Sequence, residues 1–307
     1  MSLYYKQKFL DVLKLIHKLE PSPGFSQALG TTFHDLTSSS SASSSSIQVE
    51  DKGSTVRVEL PVNSSLYIES KSITLSTYMA IMDDLTTYSL MTVDGGRPGV
   101  SVFMNMETTG SLLSSVERLA ITARTRKVGR NLGFTSAEIR DAATNRMICH
   151  GSHIKFLPMG FLADYLLQYG WPVIQWWYGL SHFQPPVSAK ERLSLHEVMS
   201  SFDTNTGSFR VKPHHASLGG PIHGGCQAVL MEMAASTAAE STLPGCYLQS
   251  ISIEYLAKPS CPLVDTQVRV VHQDSYSLTL EVLLLCNGKT KAEGILKYMK
   301  MDASSKL

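Results

Sequence analysis

The chain lacks the motifs that mark the best-known enzyme classes. It has no G-x-S-x-G nucleophile elbow, no G-x-G-x-x-G turn and no phosphate-binding P-loop. His196-Glu197 is not followed by the second histidine that an H-E-x-x-H zinc site needs at Ser200. These absences argue against a serine hydrolase, a dinucleotide enzyme and a zinc peptidase.

An excess of charge of one sign is also missing. Lys and Arg number 27 and Asp and Glu 26, so the net charge is +1 at pH 7. This balance argues against a nucleic-acid-binding protein whose affinity rests on neutralising phosphates. Charged residues make up 17% of the 307 residues, below the average of about 25%. The length allows about two globular domains.

Cysteine is scarce and odd in number, and no C-x-x-C pair occurs. We therefore expect reduced, mostly buried thiols in an intracellular protein. The first 20 residues carry lysines throughout and no clean apolar core, which argues against a cleaved signal peptide. The five cysteines are Cys149, Cys226, Cys246, Cys261 and Cys286.

The most lipid-like stretch of the sequence runs from Phe161 to Phe183. Asp164 and the Gly170-Trp171-Pro172 break would leave polar groups and an interrupted helix in hydrocarbon. We expect a buried or docked connector and no membrane span. The alternative is partial membrane contact through the tryptophans Trp171, Trp176 and Trp177.

The sequence ends in Ser305-Lys306-Leu307. This tripeptide is typical of a peroxisomal address that an import receptor reads. It predicts the matrix of a peroxisome, or of a glycosome, as the location of the protein.

Hydrophobic periodicity predicts the same order of elements twice. A helix is expected over residues 5–19, and a serine-rich, mobile loop over residues 37–46. A strand, a long helix and four strands follow in the first half, and the second half repeats this order. The predicted elements are strands 55–62, 100–107, 117–127, 132–140, 147–156, 208–213, 247–256, 263–272, 277–285 and 289–299, and helices 72–91 and 225–241.

The repeated order predicts an α+β fold in which an antiparallel sheet wraps around a long central helix in each half. Two such units would pack as a pseudo-dimer within one chain. We predict a first domain over residues 1–157, an aromatic connector over 158–192 and a second domain over 193–307.

The segment SLGGPIHGGCQAVLMEMAAS begins at Ser217 and opens the second long helix. Its glycines, Gly219, Gly220, Gly224 and Gly225, allow a tight turn with backbone N–H groups facing outward at a helix start. Such a turn can hold an oxyanion or a phosphate.

His223-Gly224-Gly225, with Glu232 nine residues after the histidine, resembles the glycine motif of hotdog-fold acyl-CoA thioesterases. The resemblance is to the branch that includes phenylacetyl-CoA and medium- to long-chain acyl-CoA hydrolases. It extends to PGVSV at residues 98–102 and to KVGRNLGFTSAEIRD at 127–141. It covers about residues 5–156 and 193–300, and it implies two tandem hotdog domains.

The two halves match this family unequally. In the first half Thr74-Leu75-Ser76 replace the glycine motif, but Asp83 falls on the helix carboxylate position and Ser101 on a water-orienting serine. In the second half the glycine motif is intact, Ser217 replaces the loop asparagine, and the residue opposite Ser101 is Leu248.

Because sites in this family form across the interface, the resemblance implies one composite site per chain. Gly224 would bind the oxyanion, Asp83 would act as general base or nucleophile, and Ser101 would orient water. Thr87 would support the carboxylate and His223 would orient the loop that begins at Ser217. The reciprocal site would combine Leu75 and Ile68 of the first half with Glu232 and Leu248 of the second. It would lack the glycine turn and the polar partners.

The resemblance also implies how coenzyme A is bound as part of the substrate. Lys127, Arg130 and Lys155 occupy places where basic residues of the family meet the nucleotide phosphates, and Gly225 belongs to the same binding loop. No metal or separate cofactor is implied. Two chains are expected to be able to associate as a homodimer of double-hotdog units.

Three functions stay open at this point. The main hypothesis is an acyl-CoA thioesterase acting on a fatty or aryl acyl-CoA. A non-catalytic acyl-CoA-binding or scaffold protein is the alternative, because each half has lost part of the motif. A hotdog enoyl-CoA hydratase ranks lowest, because it needs a paired Asp and His and only His223 is expected near the site.

Overall fold

The structure is a computed structural model that describes residues 2–19, 24–38, 47–68, 72–109, 116–158, 160–183, 193–217 and 222–300. Four features of the sequence therefore lie outside the described residues: Gly219, Gly220, most of the serine-rich segment and Ser305-Lys306-Leu307.

Three long helices of 18 or 19 residues dominate the helical part of the molecule, and five shorter helices lie among the described residues. The α-helices are α1 (Ser2–Leu19), α2 (Phe25–Leu29), α3 (Phe33–Ser38), α4 (Leu75–Val93), α5 (Phe161–Tyr169), α6 (Trp171–Trp177), α7 (Leu195–Met199) and α8 (Gly224–Thr242). Short 3₁₀ turns lie at Asp51–Gly53, Ser64–Leu66, Leu180–His182 and Pro213–His215.

All strands form one antiparallel sheet. They are β1 (Gln48–Glu50), β2 (Thr55–Pro61), β3 (Val100–Thr108), β4 (Arg118–Val128), β5 (Leu132–Asp141), β6 (Met147–Phe156), β7 (Phe202–Asp203), β8 (Ser208–Arg210), β9 (Cys246–Tyr255), β10 (Leu263–Gln273), β11 (Ser277–Cys286) and β12 (Lys289–Lys300). The order across the sheet is β1-β2-β4-β5-β6-β3-β9-β12-β11-β10-β8-β7.

The sheet is symmetric about the pairing of β3 with β9, in which Asn105 faces Ser252. Outward from this pair, β6, β5 and β4 on one side match β12, β11 and β10 on the other. The two halves of the chain therefore meet through a continuous ladder of backbone hydrogen bonds. This arrangement agrees with the predicted α+β fold and places equivalent residues of both halves near the central pair.

Helix α4 is buried on nearly every face, since it packs against α1, α8 and the concave side of the sheet. A helix in such a position is typically apolar all round, but only about half of α4 consists of Leu, Ile, Met, Ala and Val. Asp83 and Asp84 are buried in its middle, at 3% and 2% exposure. Burying two adjacent carboxylates is costly unless they are paired, so these residues mark a specialised part of the helix.

The connector forms two short helices, α5 and α6, with Gly170 between them. Trp171 packs against Gly96, while Trp176 and Trp177 are exposed. No described helix combines the length and the apolar character that crossing a membrane requires.

The predicted long elements are present with ends shifted by at most three residues. The short elements α2, α3, α7, β1 and β7 were not predicted, because they are too brief to show a period. Thr37 and Ser38 end helix α3 rather than beginning a loop.

The expectation that all five thiols are reduced is wrong for two of them. Cys261 and Cys286 form a disulfide between the start of β10 and the end of β11. Cys149 and Cys226 are buried free thiols, and Cys246 is half-buried.

Candidate active site

A cavity of about 260 Å³ opens where the two halves meet. Its walls come from the middle of α4, the start of β3, the end of β6, the first turn of α8 and the end of β9. The polar and charged residues that line it are Asp83, Asp84, Thr87, Tyr88, Ser101, Lys155, Ser217, His223, Gln227, Tyr255 and Lys258. The cavity therefore brings Asp83, Thr87 and Ser101 of the first half together with Ser217, His223 and Gly224 of the second.

The Asp83 carboxylate lies at the centre of this group. Its Oδ2 accepts a hydrogen bond from the backbone N–H of Gly225 at 2.9 Å and lies 3.3 Å from His223 Nδ1. Its Oδ1 is 3.5 Å from both Lys155 Nζ and Ser101 Oγ. Both halves of the chain thus contribute to holding one carboxylate.

Burial alone would raise the pKa of Asp83, but the surrounding charges act in the opposite direction. Lys155 and then His223, together with the Gly225 N–H, outweigh burial and hold this pKa below its ordinary value. Asp83 is therefore ionised at neutral pH, in a state that can take a proton.

Glycine is required at the start of α8 for two different steric reasons. A methyl group at Gly224 would lie 2.8 Å from Asp83 Oδ2 and 3.1 Å from Ser101 Oγ. A methyl group at Gly225 would lie 2.6 Å from the Cα of Ala80 in α4. Gly224 therefore keeps space open beside the carboxylate, and Gly225 lets α8 approach α4 closely.

Tyr255 fixes the peptide group that joins these two glycines. Its hydroxyl donates to the carbonyl oxygen of Gly224 at 3.0 Å, and the N–H of the same peptide group donates to Asp83. Both ends of this peptide are held, so the orientation of the first turn of α8 is defined. Tyr255 is a site residue that the sequence analysis missed.

His153 is a second missed residue, fully buried behind Ser101. The Thr86 hydroxyl donates to the carbonyl of Met82 at 2.6 Å, so its oxygen is left to accept from His153 Nδ1 at 2.8 Å. His153 Nε2, 2.9 Å from Ser101 Oγ, then accepts from the serine hydroxyl. Burial lowers the pKa of His153 to about 3 despite Asp83, which keeps the imidazole neutral.

Lys155 does not lie where the sequence analysis expected it. Instead of meeting nucleotide phosphates at the surface, its ammonium is buried and donates to Thr87 Oγ1 at 2.6 Å. The Thr87 hydroxyl in turn donates to the backbone carbonyl of Asp83 at 2.6 Å. Thr87 thus supports Lys155 rather than the carboxylate, and Lys155 supplies the positive charge beside Asp83. Burial lowers the pKa of Lys155, while Asp83 opposes this.

The other residues expected to bind coenzyme A also need correction or remain predictions. Gly225 packs against Ala80 and donates to Asp83, so it faces the helix interface and not a nucleotide. Lys127 and Arg130 are exposed at the β4–β5 turn, and their role stays a prediction. The exposed Lys258, at the cavity, is a cation that the sequence analysis did not single out.

The reciprocal position around Glu232 has the same backbone geometry but different chemistry. Glu232 Oε2 accepts from the backbone N–H of Ser76 at 2.7 Å, as Asp83 does from Gly225. Burial raises the pKa of Glu232, although hydrogen bonds from Ser76 and Thr74 oppose this. The pKa of Glu232 is thus shifted in the direction opposite to that of Asp83.

Strand register explains why the two carboxyls differ. Ser101 lies four residues before Asn105, and Leu248 lies four residues before Ser252, the partner of Asn105 in the central strand pair. Ser101 and Leu248 are therefore equivalent positions of the two halves, as in the sequence analysis. Lys155 pairs with Ser101, and Tyr298 pairs with Leu248. His153 corresponds by the same register to Leu296. The half around Glu232 therefore has apolar or neutral groups where Asp83 has a serine, a histidine and a lysine.

The sequence comparisons agree with this geometry. Residues 219–292 match the model of the thioesterase superfamily. Acyl-coenzyme A thioesterase 13 of Homo sapiens is 39% identical over 77 residues, which are 25% of this chain and 54% of that protein. The Pongo abelii protein of the same name matches to the same extent. The chain spans about half the length of these curated relatives.

Solved structures extend the likeness to most of the chain. The 12:0-ACP thioesterase from Umbellularia californica superposes with a TM-score of 0.55 at 11% identity, covering 80% of this chain and 94% of that one. An acyl-ACP thioesterase from Bacteroides thetaiotaomicron gives a TM-score of 0.50 at 10% identity, covering 81% and 100%. At such identities these matches establish the fold alone.

The chain thus has the hotdog fold, and its segment 219–292 is similar to the thioesterase superfamily. The predicted resemblance to hotdog-fold acyl-CoA thioesterases is confirmed.

Proposed function

We propose that this protein hydrolyses acyl-CoA thioesters at one composite site per chain. The observation that carries the proposal is the meeting of the ionised Asp83 carboxylate with the glycine start of α8 in one cavity. A general base and an oxyanion-binding helix start, in contact across the interface, are the two groups that hydrolysis of a thioester needs.

In the proposed reaction the thioester carbonyl lies against the N–H of Gly224. The first N–H groups of a helix have no acceptor within it, and the helix dipole favours negative charge there. Asp83 takes a proton from water as the water oxygen bonds to the carbonyl carbon. The C–S bond then breaks, which releases the acid and the coenzyme A thiolate.

Ser101 has a defined part in this arrangement. Its hydroxyl hydrogen is engaged by His153 Nε2, so its oxygen accepts a hydrogen bond from a water beside Asp83 Oδ1. Such a water would be held between two acceptors and oriented toward the carbonyl carbon. Positioning of this kind lowers the barrier by fixing the attack geometry before the reaction.

One site rather than two is supported by the contrast between Asp83 and Glu232. Glu232 is half-buried with its pKa raised, and it has Leu248 and Leu296 where Asp83 has Ser101 and His153. Leu75 also replaces Gly224 at the start of α4. The Glu232 carboxyl thus lacks the side-chain partners that Asp83 has.

Coenzyme A esters are the proposed substrate class because the curated relatives named acyl-coenzyme A thioesterase 13 match the segment that contains the glycine motif. Lys258 lies at the cavity and is exposed, so it can meet an anionic group of a bound coenzyme.

Release of free thiol from a panel of fatty and aryl acyl-CoA esters tests the proposal. Asp83→Asn should abolish release, whereas Glu232→Gln, which removes the carboxyl at the equivalent position of the other half, should keep most of it. Equal losses in both variants would contradict the single composite site.

The same preparation separates the alternatives. Binding of acyl-CoA without release of thiol from any ester would support the binding protein. Hydration of a trans-2-enoyl-CoA without thiol release would support the hydratase, for which His223 lies 3.3 Å from Asp83.

A further inference from the structure

The connector turns large apolar side chains outward. Trp176 and Trp177 of α6 are 77% and 73% exposed, although indole rings are among the side chains that gain most from burial. Four further large side chains of α5 and α6 are exposed as well. We call the whole set the aromatic face, and it consists of Tyr165, Leu166, Tyr169, Val173, Trp176 and Trp177.

Helix α6 has its polar and apolar sides reversed relative to an ordinary surface helix. On its inner side the Gln175 amide donates to the buried carboxylate of Asp11 at 2.6 Å. Its outer side carries Trp176 and Trp177, and the helix contains no charged residue. A surface helix normally turns its polar residues to water, so packing within the chain does not account for this pattern.

The aromatic face extends over two consecutive helices. The rings of Tyr165 and Tyr169 lie 5.3 Å apart, and those of Trp176 and Trp177 lie 6.5 Å apart. Only Gly170 separates α5 from α6. The four rings leave on the order of 500 Å² exposed, comparable to the largest apolar patches of monomeric proteins, about 300–600 Å², which are often functional. No connector residue lines the cavity, so this face is separate from the candidate active site.

Helix α1 packs beside α6 and brings positive charge to it. Lys14 Nζ donates to the carbonyl of Leu180 at 3.1 Å, and Lys18 Nζ donates to that of Tyr178. Lys18 is exposed at this edge of the connector. Helix α1 carries four lysines in all and one acidic residue, the buried Asp11.

The connector does not offset these lysines. Within residues 160–183 the one acidic residue is Asp164, which is half-buried and lies 3.9 Å from the Arg97 guanidinium. The aromatic face therefore lies next to a helix with an excess of positive charge, and its own acidic residue is turned toward a cation.

We propose that the aromatic face docks on the surface of a lipid bilayer that carries anionic headgroups. Tryptophan and tyrosine favour the boundary between headgroups and acyl chains, and lysines beside them are attracted to anionic lipids. Helices α5 and α6 would lie in the plane of this boundary without crossing the bilayer. The inference goes beyond the proposed hydrolysis and does not depend on it.

A second copy of the chain fits this surface less well than a bilayer does. A two-fold dimer brings the same surface of both chains together. The lysines of α1 would then face their own copies, and like charges brought together at an interface cost affinity. An anionic lipid surface complements the same lysines.

Sedimentation of the full chain with vesicles tests the proposal. One vesicle is phosphatidylcholine alone, and the other contains equal amounts of phosphatidylcholine and phosphatidylserine. We expect binding mainly to the second, weakening as NaCl is raised. Trp176 and Trp177 are two of the three tryptophans, so bound protein should also show tryptophan emission at shorter wavelength.

Replacing both exposed tryptophans tests the face itself. Trp176→Ser with Trp177→Ser should weaken vesicle binding about tenfold or more, because both indoles leave water in the bound state. The circular dichroism spectrum should stay unchanged, since both side chains are exposed. Tyr276→Ser is the matched control, because Tyr276 is an exposed aromatic residue between β10 and β11, outside the connector, and this variant should bind as the wild type does.

Three results would overturn the proposal. They are absence of binding to both vesicles, equal binding to the neutral and the anionic vesicle, and self-association of the wild type that disappears in the double tryptophan variant. The last result would identify a second copy as the occupant of the aromatic face. None of these measurements uses turnover, so a failure of hydrolysis leaves the outcome readable.

Discussion

The backbone nitrogen of Gly225 lies 2.9 Å from Asp83 Oδ2, across the interface between the two halves of the chain. The equivalent contact, from Ser76 to Glu232 Oε2, is 2.7 Å long. Two carboxyls thus receive the same backbone hydrogen bond at a helix start. The side chains around them differ: Lys155 holds the pKa of Asp83 below its ordinary value, whereas burial raises the pKa of Glu232.

Gly224→Ala should remove activity and leave the fold intact. The backbone at this position does not require glycine, since its φ is not positive, and alanine favours a helix. The added methyl group would displace Asp83 or Ser101. We expect thiol release to fall about 100-fold, as for loss of a correctly placed general base, with a melting temperature close to that of the wild type.

Gly225→Ala is the matched comparison for this glycine. Its methyl group would meet the backbone of Ala80, so this variant should lose stability, by about 1–3 kcal/mol for overpacking. A Gly224→Ala protein that melts early, or that retains full activity, would contradict the distinction between the two glycines.

Ser101 and His153 are expected to act as one unit. The hydroxyl of Ser101 is directed by His153 Nε2 at 2.9 Å, and His153 is itself fixed by Thr86. Ser101→Ala and His153→Phe should each lower kcat, and the double variant should be no slower than the slower single variant. Additive losses in this double-mutant cycle would show that the two residues act independently.

Much of the fold was predictable from the sequence because long helices and strands show a regular spacing of hydrophobic residues. The order of one long helix and four strands, found twice, gave α4, α8 and strands β3–β6 and β9–β12 nearly to their ends. Short elements such as α7 and the two-residue β7 carry no period, and their backbone depends on packing against distant segments.

The site was predicted where a family motif covers the residue and missed where it does not. Asp83, Ser101 and Gly224 meet in the cavity, as the alignment of the two halves implied. Tyr255, His153 and Asp84 stood in ordinary strand or helix patterns. Only the strand register that brings His153 behind Ser101, or the helix contact between Asp84 and His223, reveals them.

Lys155 was misplaced because a basic residue near a hairpin is normally solvated, whereas the alternation of buried and exposed residues along β6 turns this side chain inward.

The disulfide between Cys261 and Cys286 should add measurable stability. It closes a segment with a sequence separation of 25 residues, for which loop entropy gives about 3 kcal/mol. Cys261→Ser with Cys286→Ser should lower the free energy of unfolding by that order. Alkylation of the unfolded protein without reductant should modify three thiols rather than five. Modification of all five would show that the pair is reduced.

Lys155→Met should shift the pH dependence of hydrolysis upward. Lys155 is the leading charge that holds the pKa of Asp83 below its ordinary value against burial. A carboxylate with a lowered pKa stays ionised, and able to act as a base, as pH falls through the ordinary range of aspartate. Hydrolysis by the wild type should therefore persist below pH 4, in so far as the protein stays folded.

With Lys155 replaced by an uncharged side chain of similar length, burial dominates and the pKa of Asp83 rises. The acid limb of kcat/KM should then move toward neutral pH, and activity should partly recover in more alkaline buffer. Lys258→Met, which removes an exposed cation at the cavity, should instead raise KM for coenzyme A esters and leave the acid limb in place. An acid limb in Lys155→Met at the wild-type position would mean that His223 and the Gly225 N–H suffice to hold Asp83 ionised.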